Sequence, residues 1–249
     1  MNAAFHGLLN ALHRPRRTTA IIGHRGAPRS APENTLAAFE DAIELGVDGI
    51  EFDVQMTGDN ALVVIHDADV GRCTNGNGLV TELTAADLRK LDAGTWLSPD
   101  FAGERIPLLP EALELMRGRV LPLVEIKLRP GIDLDCFVDR LLSTLDAVKM
   151  RYDVVLHGFD AAVATALFAR DPQLHLGLTF DETVDAPSFV NGWHPHASLI
   201  TPKLVKDAHR NGQWVCTWTV NDLAEAKRVI DAGVDGIMTD DPEAMMLVV

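Results

Sequence analysis

The sequence GVDGI occurs twice in this chain of 249 residues, at positions 46–50 and again at positions 233–237. Each copy follows a segment with helical periodicity and leads into a buried-strand pattern, so Gly46 and Gly233 are placed to end a helix. The recurrence indicates one repeated helix-to-strand unit and supports a closed fold. The copies diverge at the next position, where Glu51 is matched by Met238, and this departure marks a candidate site of chemistry.

Strand and helix patterns alternate along most of the chain. This spacing predicts right-handed βαβ units around a parallel sheet, and 249 residues is a usual length for one (β/α)8 TIM barrel. The pattern offers about nine strands for the eight places of such a barrel. The predicted strands are residues 19–23, 49–54, 61–65, 121–128, 154–157, 174–179, 199–200, 214–219 and 236–239. The predicted helices are residues 36–45, 110–117, 134–148, 161–169, 202–210 and 223–231, with a short one after Thr84.

The segment between the second and third predicted strands is too short for a crossover helix. Gly58 and Asp59 suit a two-residue hairpin turn, so these two strands are predicted to run antiparallel. If the two turn residues face each other, the numbers of facing residues sum to 117. His66 is then predicted to lie opposite Glu51.

Two segments lie outside the regular alternation. Residues from about 68 to 110 are irregular and include a Gly- and Asn-rich stretch at 75–78, which predicts a small insertion on the functional side of the barrel. Residues 1–17 are predicted to form an N-terminal arm, either a short amphipathic helix against the barrel or a frayed segment. Residues 18–249 are predicted to form a single barrel domain.

The formal net charge is −14. A surface of that sign repels nucleic acid and anionic membranes, so we expect a small-molecule partner, and an anionic one would need local cations or a metal. The three cysteines show no disulfide or zinc spacing. No apolar run reaches the roughly 18 residues that span a bilayer, and residues 1–17 have the wrong charge order for a signal peptide. We expect a cytoplasmic protein and leave its oligomeric state open.

Three carboxylates are candidate metal ligands. Glu51 and Asp53 are two residues apart on a predicted strand, so they share a face at a separation of roughly 6.5–7 Å. Each would cost several kcal/mol if buried dry and unpaired, and Mg²⁺ or Ca²⁺ would offset that cost because both bind carboxylate oxygens. Glu125, on another predicted strand, can complete a shell of three carboxylates. The alternative is a structural network of these acids with Arg or Lys.

The other candidates also lie near predicted strand ends. His24 and His66 both follow apolar strands, where barrels place catalytic groups, and two imidazoles suit one general base and one general acid. Arg25 offers a rigid fork for phosphate oxygens, and Lys127 a point charge, although a salt bridge between Lys127 and Glu125 is the simpler alternative. Trp218 can form an apolar wall for a small alcohol or pack in the core.

Taken together, the chain from about residue 19 to its end resembles the glycerophosphodiester phosphodiesterase family. The matching stretches are HRG at 24–26, PENT at 32–35, EFD at 51–53, HD at 66–67, LDAG at 91–94, EIK at 125–127, WTVN at 218–221 and DGIMTD at 235–240. The resemblance implies a distorted TIM barrel with a small insertion after the third strand. It also implies hydrolysis of glycerophosphodiesters, such as glycerophosphocholine or glycerophosphoethanolamine, to glycerol 3-phosphate and an alcohol.

The resemblance further implies roles for seven of the candidates. His24 and His66 are the implied acid–base pair, Glu51, Asp53 and Glu125 hold one divalent cation (Mg²⁺ or Ca²⁺), and Arg25 and Lys127 contact phosphate. Trp218 is a candidate substrate-binding wall from its position alone. Two positions depart from the family pattern: Gly158 where Ser is frequent, and Cys73 where Thr is common. We expect neither to touch the proposed centre, so both bear on substrate fit.

Two other functions fit part of the pattern. Lys127 on a barrel strand is a candidate Schiff-base residue of an aldolase-type enzyme, which would require a lowered pKa, whereas Glu125 nearby should raise it unless a metal claims that carboxylate. The other possibility is a barrel that binds a phosphodiester without turning it over.

Overall fold

The computed structural model describes residues 7–9, 18–184 and 186–248, and its regular elements alternate along the chain. The strands are β1 (Ala20–His24), β2 (Gly49–Met56), β3 (Leu62–Val64), β4 (Leu121–Ile126), β5 (Val155–His157), β6 (His175–Phe180), β7 (Gly192–Pro195), β8 (Trp214–Thr217) and β9 (Gly236–Thr239). The α-helices are α1 (Leu36–Leu45), α2 (Ala85–Leu88), α3 (Leu109–Met116), α4 (Leu134–Ala147), α5 (Ala161–Arg170), α6 (Pro202–Arg210), α7 (Leu223–Asp231) and α8 (Pro242–Met245).

Eight of the strands form a closed parallel barrel. Each barrel strand pairs with the next one in the order β1, β2, β4, β5, β6, β7, β8, β9, and β9 pairs back with β1. Strand β3 is the ninth strand and lies outside the barrel, antiparallel to β2. The predicted TIM-barrel class is confirmed, and the surplus strand candidate is the second arm of the hairpin.

The predicted hairpin register is wrong by one residue. In the β2–β3 pair Val54 faces Val64 and Met56 faces Leu62, so facing numbers sum to 118 rather than 117. The reason is the loop, in which Asn60 adopts a left-handed backbone conformation with φ of 61° and adds a third residue to the turn. His66 therefore does not lie opposite Glu51, since a shift of one residue moves every side chain to the other face.

The strand predicted at residues 199–200 is also wrong. That segment is the end of a short 3₁₀ helix, Ala197–Leu199, and the sixth barrel strand is β7, earlier in the chain. The sequence of β7, GWHP, has a Gly, a His and a Pro among four residues, which is a poor strand signal. Its place in the barrel is set by parallel pairing with β6 and β8.

Other local signals are confirmed. The Thr35 hydroxyl accepts a hydrogen bond from the Ala38 backbone N–H at 3.2 Å and caps α1. Gly46 ends this helix at φ 86°, a left-handed conformation that glycine adopts without strain. The buried residues of α1, which include Phe39 and Ile43, pack into the layer between the barrel and its helices.

The barrel has a second apolar cluster, distinct from the large one between strands and helices. It contains Ala20, Ile22, Leu121, Leu123, Val155, Trp214, Cys216 and Met238. Alternate residues of β1 and β4 contribute to it, as expected for strand faces that point inward. The predicted N-terminal arm lies outside the described residues except for 7–9, a helical turn whose Leu8 and Leu9 pack against this inner cluster.

The insertion follows β3 and returns to the barrel at α3. It contains α2, two 3₁₀ helices (Val70–Arg72 and Pro99–Phe101) and an apolar cluster of its own around Val70, Val80 and Leu88. Pro110 lies in the first turn of α3, as the sequence predicted. Within the described ranges, none of the helices combines the length and apolar character required to cross a bilayer.

Candidate active site

The inward-facing side of the barrel changes from apolar to charged along its strands. On β4, Leu121 and Leu123 are followed on the same face by Glu125, and on β1, Ile22 is followed by His24. Because the barrel strands are parallel, these last residues meet at one end of the barrel. The carboxyl end of the barrel is therefore where charged groups gather.

The three predicted metal ligands come together there. Asp53 and Glu125 are direct partners across the β2–β4 pair, and Glu51 lies two residues earlier on β2. All three are buried, and one carboxylate oxygen from each lies within 4.8 Å of the other two. Glu51 Oε1 has no hydrogen-bond partner within the described part of the chain. A buried, partly unsatisfied set of hard oxygen donors fits a divalent cation, so this triad could hold a metal ion.

The charges of the triad are strongly perturbed. Burial first, and then the charge of Asp53, raises the pKa of Glu51 to about 8 and also raises the pKa of Glu125. Burial acts against ionisation of Asp53 too, but Lys127 and Arg25 outweigh it and lower the pKa of that carboxyl. Perturbed carboxyls of this kind cluster at functional sites.

Lys127 is held by two of these carboxylates. Its Nζ lies 2.5 Å from Glu125 Oε1 and 3.2 Å from Asp53 Oδ1, so the salt bridge that the sequence offered as an alternative is present. Burial opposes the charged form, yet Asp53 and Glu125 raise the pKa of Lys127 above its ordinary value. An ammonium group is not a nucleophile, and this geometry therefore disfavours the Schiff-base hypothesis.

Arg25 is also fixed by acids. Its Nη1 donates to Glu33 Oε1 at 2.8 Å, and its Nε lies 3.3 Å from Asp53 Oδ2. The Arg25 backbone has φ of 56°, unusual for a residue other than glycine, and its N–H donates to the Glu51 carbonyl at 2.7 Å. Strained backbone of this kind is characteristic of functional sites.

Both candidate histidines are oriented by a carboxylate. His24 Nδ1 lies 2.6 Å from Asp240 Oδ1, and His66 Nδ1 lies 2.6 Å from Asp67 Oδ1. An ionised carboxylate only accepts hydrogen bonds, so Nδ1 donates in each pair and Nε2 is the nitrogen left for acid–base chemistry. His24 Nε2 is 3.9 Å from Glu51 Oε2, which brings this imidazole to the carboxylate triad.

Trp218 both packs in the barrel interior and lines the cavity at its carboxyl end. Its indole N–H donates to the His194 carbonyl at 2.7 Å, and the residue packs against the inner barrel cluster. Its ring also makes edge-to-face contacts with Phe159 and His196, with centroids 5.5 and 5.1 Å apart. Phe159 is 47% exposed, so the pair presents an aromatic surface at the mouth of the barrel.

One cavity joins these groups. Seven of the eight predicted site residues line it, and Asp53 contacts that lining through Lys127 and Arg25. His157 and Thr179 also line the cavity, and His157 Nδ1 lies 3.0 Å from the Thr179 hydroxyl. The sequence-predicted site is thus assembled in one place.

Several residues of the site were missed as functional candidates. Asp240 and Asp67 orient the histidines, Glu33 holds Arg25, and the Asn34 amide donates to Asp53 Oδ2 at 2.8 Å. The available signal for Asp240 was its position directly after β9, where a barrel places functional groups. Glu33, Asn34 and Asp67 lie in the PENT and HD stretches that match the family, but within those stretches only His66 was predicted to have a catalytic role.

The two departures from the family pattern have different surroundings. A side chain at Gly158 would bring a Cβ to 2.9 Å from the Ile126 carbonyl oxygen, so the backbone is crowded there. Cys73 lines a second cavity, next to the site, to which His66 and Glu33 also contribute. Burial and then the charge of Glu33 raise the pKa of the Cys73 thiol to about 12, so it is not poised as a nucleophile.

Comparison with known proteins shows the family of this chain. Residues 24–244 match the model of the glycerophosphoryl diester phosphodiesterase family. A glycerophosphodiester phosphodiesterase of Caldanaerobacter subterraneus subsp. tengcongensis is 40% identical over 235 residues, which cover 92% of this chain and 96% of that protein.

Solved structures give the same result. An Oleispira antarctica phosphodiesterase, solved in complex with the product sn-glycerol-3-phosphate, superimposes with a TM-score of 0.86 at 27% identity, covering 92% of this chain and 96% of that one. A glycerophosphodiester phosphodiesterase from Agrobacterium tumefaciens has a TM-score of 0.81 at 28% identity, covering 92% of this chain and all of that one (100%).

Proposed function

The chain belongs to the glycerophosphoryl diester phosphodiesterase family, and we propose that it hydrolyses small glycerophosphodiesters to sn-glycerol 3-phosphate and an alcohol. Glycerophosphocholine and glycerophosphoethanolamine are the proposed substrates. The observation that carries this proposal is the convergence of a buried carboxylate triad, two carboxylate-anchored histidines and two cations on one cavity. We further propose that residues 18–249 act as one domain and that the protein is cytoplasmic.

Glu51, Asp53 and Glu125 are the proposed ligands of one divalent cation, Mg²⁺ or Ca²⁺. Their buried oxygens and the unsatisfied Glu51 Oε1 support this assignment. When bound, such a cation neutralises charge on the phosphoryl oxygens as a Lewis acid.

His24 and His66 are the proposed acid–base pair for in-line displacement at phosphorus. One imidazole takes the proton of the nucleophile, either water or a neighbouring glycerol hydroxyl, and the other gives a proton to the leaving alcohol oxygen. Anchoring of both Nδ1 atoms by Asp240 and Asp67 leaves the two Nε2 atoms for these transfers.

Arg25 and Lys127 are the proposed phosphate contacts. Both line the cavity as cations held in place by carboxylates, so their positions are fixed before substrate arrives. Such cations also provide the local positive charge that an anionic substrate requires in a protein of net charge −14. Trp218, with Phe159, is the proposed wall for the leaving alcohol.

The direct test is hydrolysis of a panel of glycerophosphodiesters after EDTA treatment and after addition of Mg²⁺ or Ca²⁺. We expect metal-dependent release of glycerol 3-phosphate, and a loss of about 10²–10⁴ in kcat for His24→Ala. His209→Ala is the matched control, because His209 also pairs with a carboxylate, Asp235 at 2.7 Å, but at the amino end of β9, whereas the site lies at the carboxyl end of the barrel. Wild-type turnover by His24→Ala would refute the mechanism.

The metal dependence of activity and one trapping experiment separate the two alternatives. A Schiff-base enzyme would keep its activity in EDTA, and borohydride would trap it in the presence of a carbonyl substrate. A barrel that only binds its ligand would retain a phosphodiester tightly without turnover at any metal concentration.

A further inference from the structure

Arg72 lies in the insertion and makes three hydrogen bonds to two carboxylates next to the site. Its Nε donates to Asp67 Oδ2 at 2.5 Å. Its two Nη atoms donate to Glu33 Oε2 and Oε1 at 2.9 and 2.8 Å, a bidentate pair. A planar guanidinium is suited to this geometry because its donors form a rigid fork.

Each of these carboxylates holds a residue of the proposed catalytic site. Asp67 uses its other oxygen, Oδ1, to bind His66 Nδ1 at 2.6 Å. Glu33 Oε1 also accepts from Arg25 Nη1 at 2.8 Å. One continuous set of charge-assisted hydrogen bonds therefore connects His66 to Arg25, and Arg72 is its central member.

The charges of Asp67 and Glu33 explain why the site needs a third cation in addition to Arg25 and Lys127. Without Arg72, Glu33 would keep only Arg25 as a cationic partner and Asp67 only the imidazole of His66, next to a cavity proposed to bind an anionic phosphodiester. Burial alone would raise the pKa of Asp67, but hydrogen bonds from Arg72 and His66 lower it to about 2. Burial likewise opposes ionisation of Glu33, and its hydrogen bonds with Arg72 and the charge of Arg25 lower its pKa. Both groups are therefore acceptors at neutral pH.

We propose that Arg72 is a positioning residue of this active site, which fixes the orientation of His66 through Asp67 and that of Arg25 through Glu33. This inference rests on the proposed function of His66 and Arg25. Arg72 acts only through its two carboxylate partners, and its own side chain is 45% exposed, so it is reachable from solvent. The insertion thus contributes to the site by holding a histidine and a phosphate contact of the barrel in place.

Loss of the guanidinium would free Asp67 to rotate, and the His66 ring would then no longer be restricted to the tautomer with the proton on Nδ1. Loss of an outer partner of this kind typically lowers activity by about 10–100-fold. Because orientation of His66 matters in the transition state, kcat should fall by that factor while KM changes less.

The kinetic test compares three variants with wild type on glycerophosphocholine. Arg72→Ala should lose about 10–100-fold in kcat. Arg72→Lys should recover little of it, because one ammonium nitrogen cannot reproduce the bidentate pair with Glu33 together with the third hydrogen bond to Asp67. Arg89→Ala is the matched control: Arg89 also lies in the insertion and pairs with one acid, Glu111, away from the cavity, and this variant should keep wild-type kcat. Guanidinium ion added to Arg72→Ala should restore part of the loss, which a misfolded variant would not allow.

A second readout does not depend on turnover. The ¹⁵N shifts of the His66 ring, assigned by comparison with His66→Gln, should report a single Nδ1–H tautomer in wild type and a mixture in Arg72→Ala, at a pH above the histidine titration range. If wild type has no phosphodiesterase activity, the proposed function fails, and this spectrum still tests Arg72. Wild-type kcat and an unchanged His66 spectrum in Arg72→Ala would overturn the inference, as would full activity of Arg72→Lys.

Discussion

The two GVDGI copies have the same structure at their start and different chemistry at their end. Gly46 and Gly233 both have left-handed backbone conformations, with φ of 86° and 94°. The aspartate of each copy then accepts a backbone N–H from a neighbouring strand: Asp48 from Ile21 at 2.9 Å, and Asp235 from Val215 at 2.8 Å. At the amino ends of β2 and β9, the repeat therefore performs the same structural task.

The carboxyl ends of the same strands differ. Strand β2 continues with Glu51 and Asp53, two members of the buried triad. The matching positions of the second copy are Met238, within β9, and Asp240, directly after β9. Met238 belongs to the inner apolar cluster, and Asp240 orients His24. One end of the barrel therefore stabilises the fold and the other carries the candidate catalytic groups, within strands that begin alike.

The largest expected effect is at the diverging position. Glu51→Gln keeps the side-chain volume but removes a charged oxygen from the triad, and we expect kcat to fall by about 10²–10³-fold. The unfolding temperature in EDTA should stay at or above that of wild type, because a buried negative charge can no longer form at position 51. Kinetics with added Mg²⁺ and thermal unfolding measure the two quantities.

Met238→Leu is the control at the matching position of the other copy, and a volume-conserving exchange should leave kcat near wild type. Equal losses in Glu51→Gln and Met238→Leu would show that the two carboxyl ends do not differ in function.

The second expected effect is on stability alone. Asp235→Ala removes the acceptor of the Val215 N–H and of His209, both at 2.7–2.8 Å. We expect the free energy of unfolding to fall by about 1.5–3 kcal/mol, as for hydrogen bonds to a buried charged group. The kcat of the folded enzyme should remain that of wild type. Urea unfolding, together with kinetics at low denaturant, checks this. A loss of kcat without a loss of stability would show that the amino end of the barrel also contributes to catalysis.

The smallest expected effect is at the hairpin loop, which lies outside the repeat. Asn60 has φ of 61°, so Asn60→Val places a β-branched residue in a left-handed conformation and should lower the free energy of unfolding by about 1–2 kcal/mol. Asn60→Gly is the permissive control, with an expected change below about 1 kcal/mol because glycine tolerates this conformation. Neither should alter the metal dependence of activity.

Much of the fold was predictable because local signals were consistent. The Thr35 cap, the Gly46 stop and the bounds of α6, α7 and β9 follow from patterns within a few residues. Strand β7 was not predictable in this way, since its weak strand sequence is stabilised by pairing with β6 and β8. The hairpin register depended on the conformation of Asn60, a single dihedral that composition does not specify.

The candidate site shows the same limit. Strand position and residue type were sufficient to select the eight candidate side chains, seven of which line one cavity. The partners that orient them were not selected, because Asp240 and His24 are 216 residues apart and meet only through barrel closure. Arg72 was overlooked for a similar reason: its hydrogen bonds to Glu33 depend on how the insertion folds over the barrel.

We propose that the cluster at the carboxyl end of the barrel cleaves the bond between phosphorus and the oxygen of the headgroup alcohol. ³¹P NMR of glycerophosphocholine with the Mg²⁺- or Ca²⁺-supplemented enzyme follows this cleavage. We expect the diester resonance to be replaced by that of glycerol 3-phosphate, with no conversion in EDTA. Formation of phosphocholine, or an unchanged diester resonance with both metals, would contradict the claim.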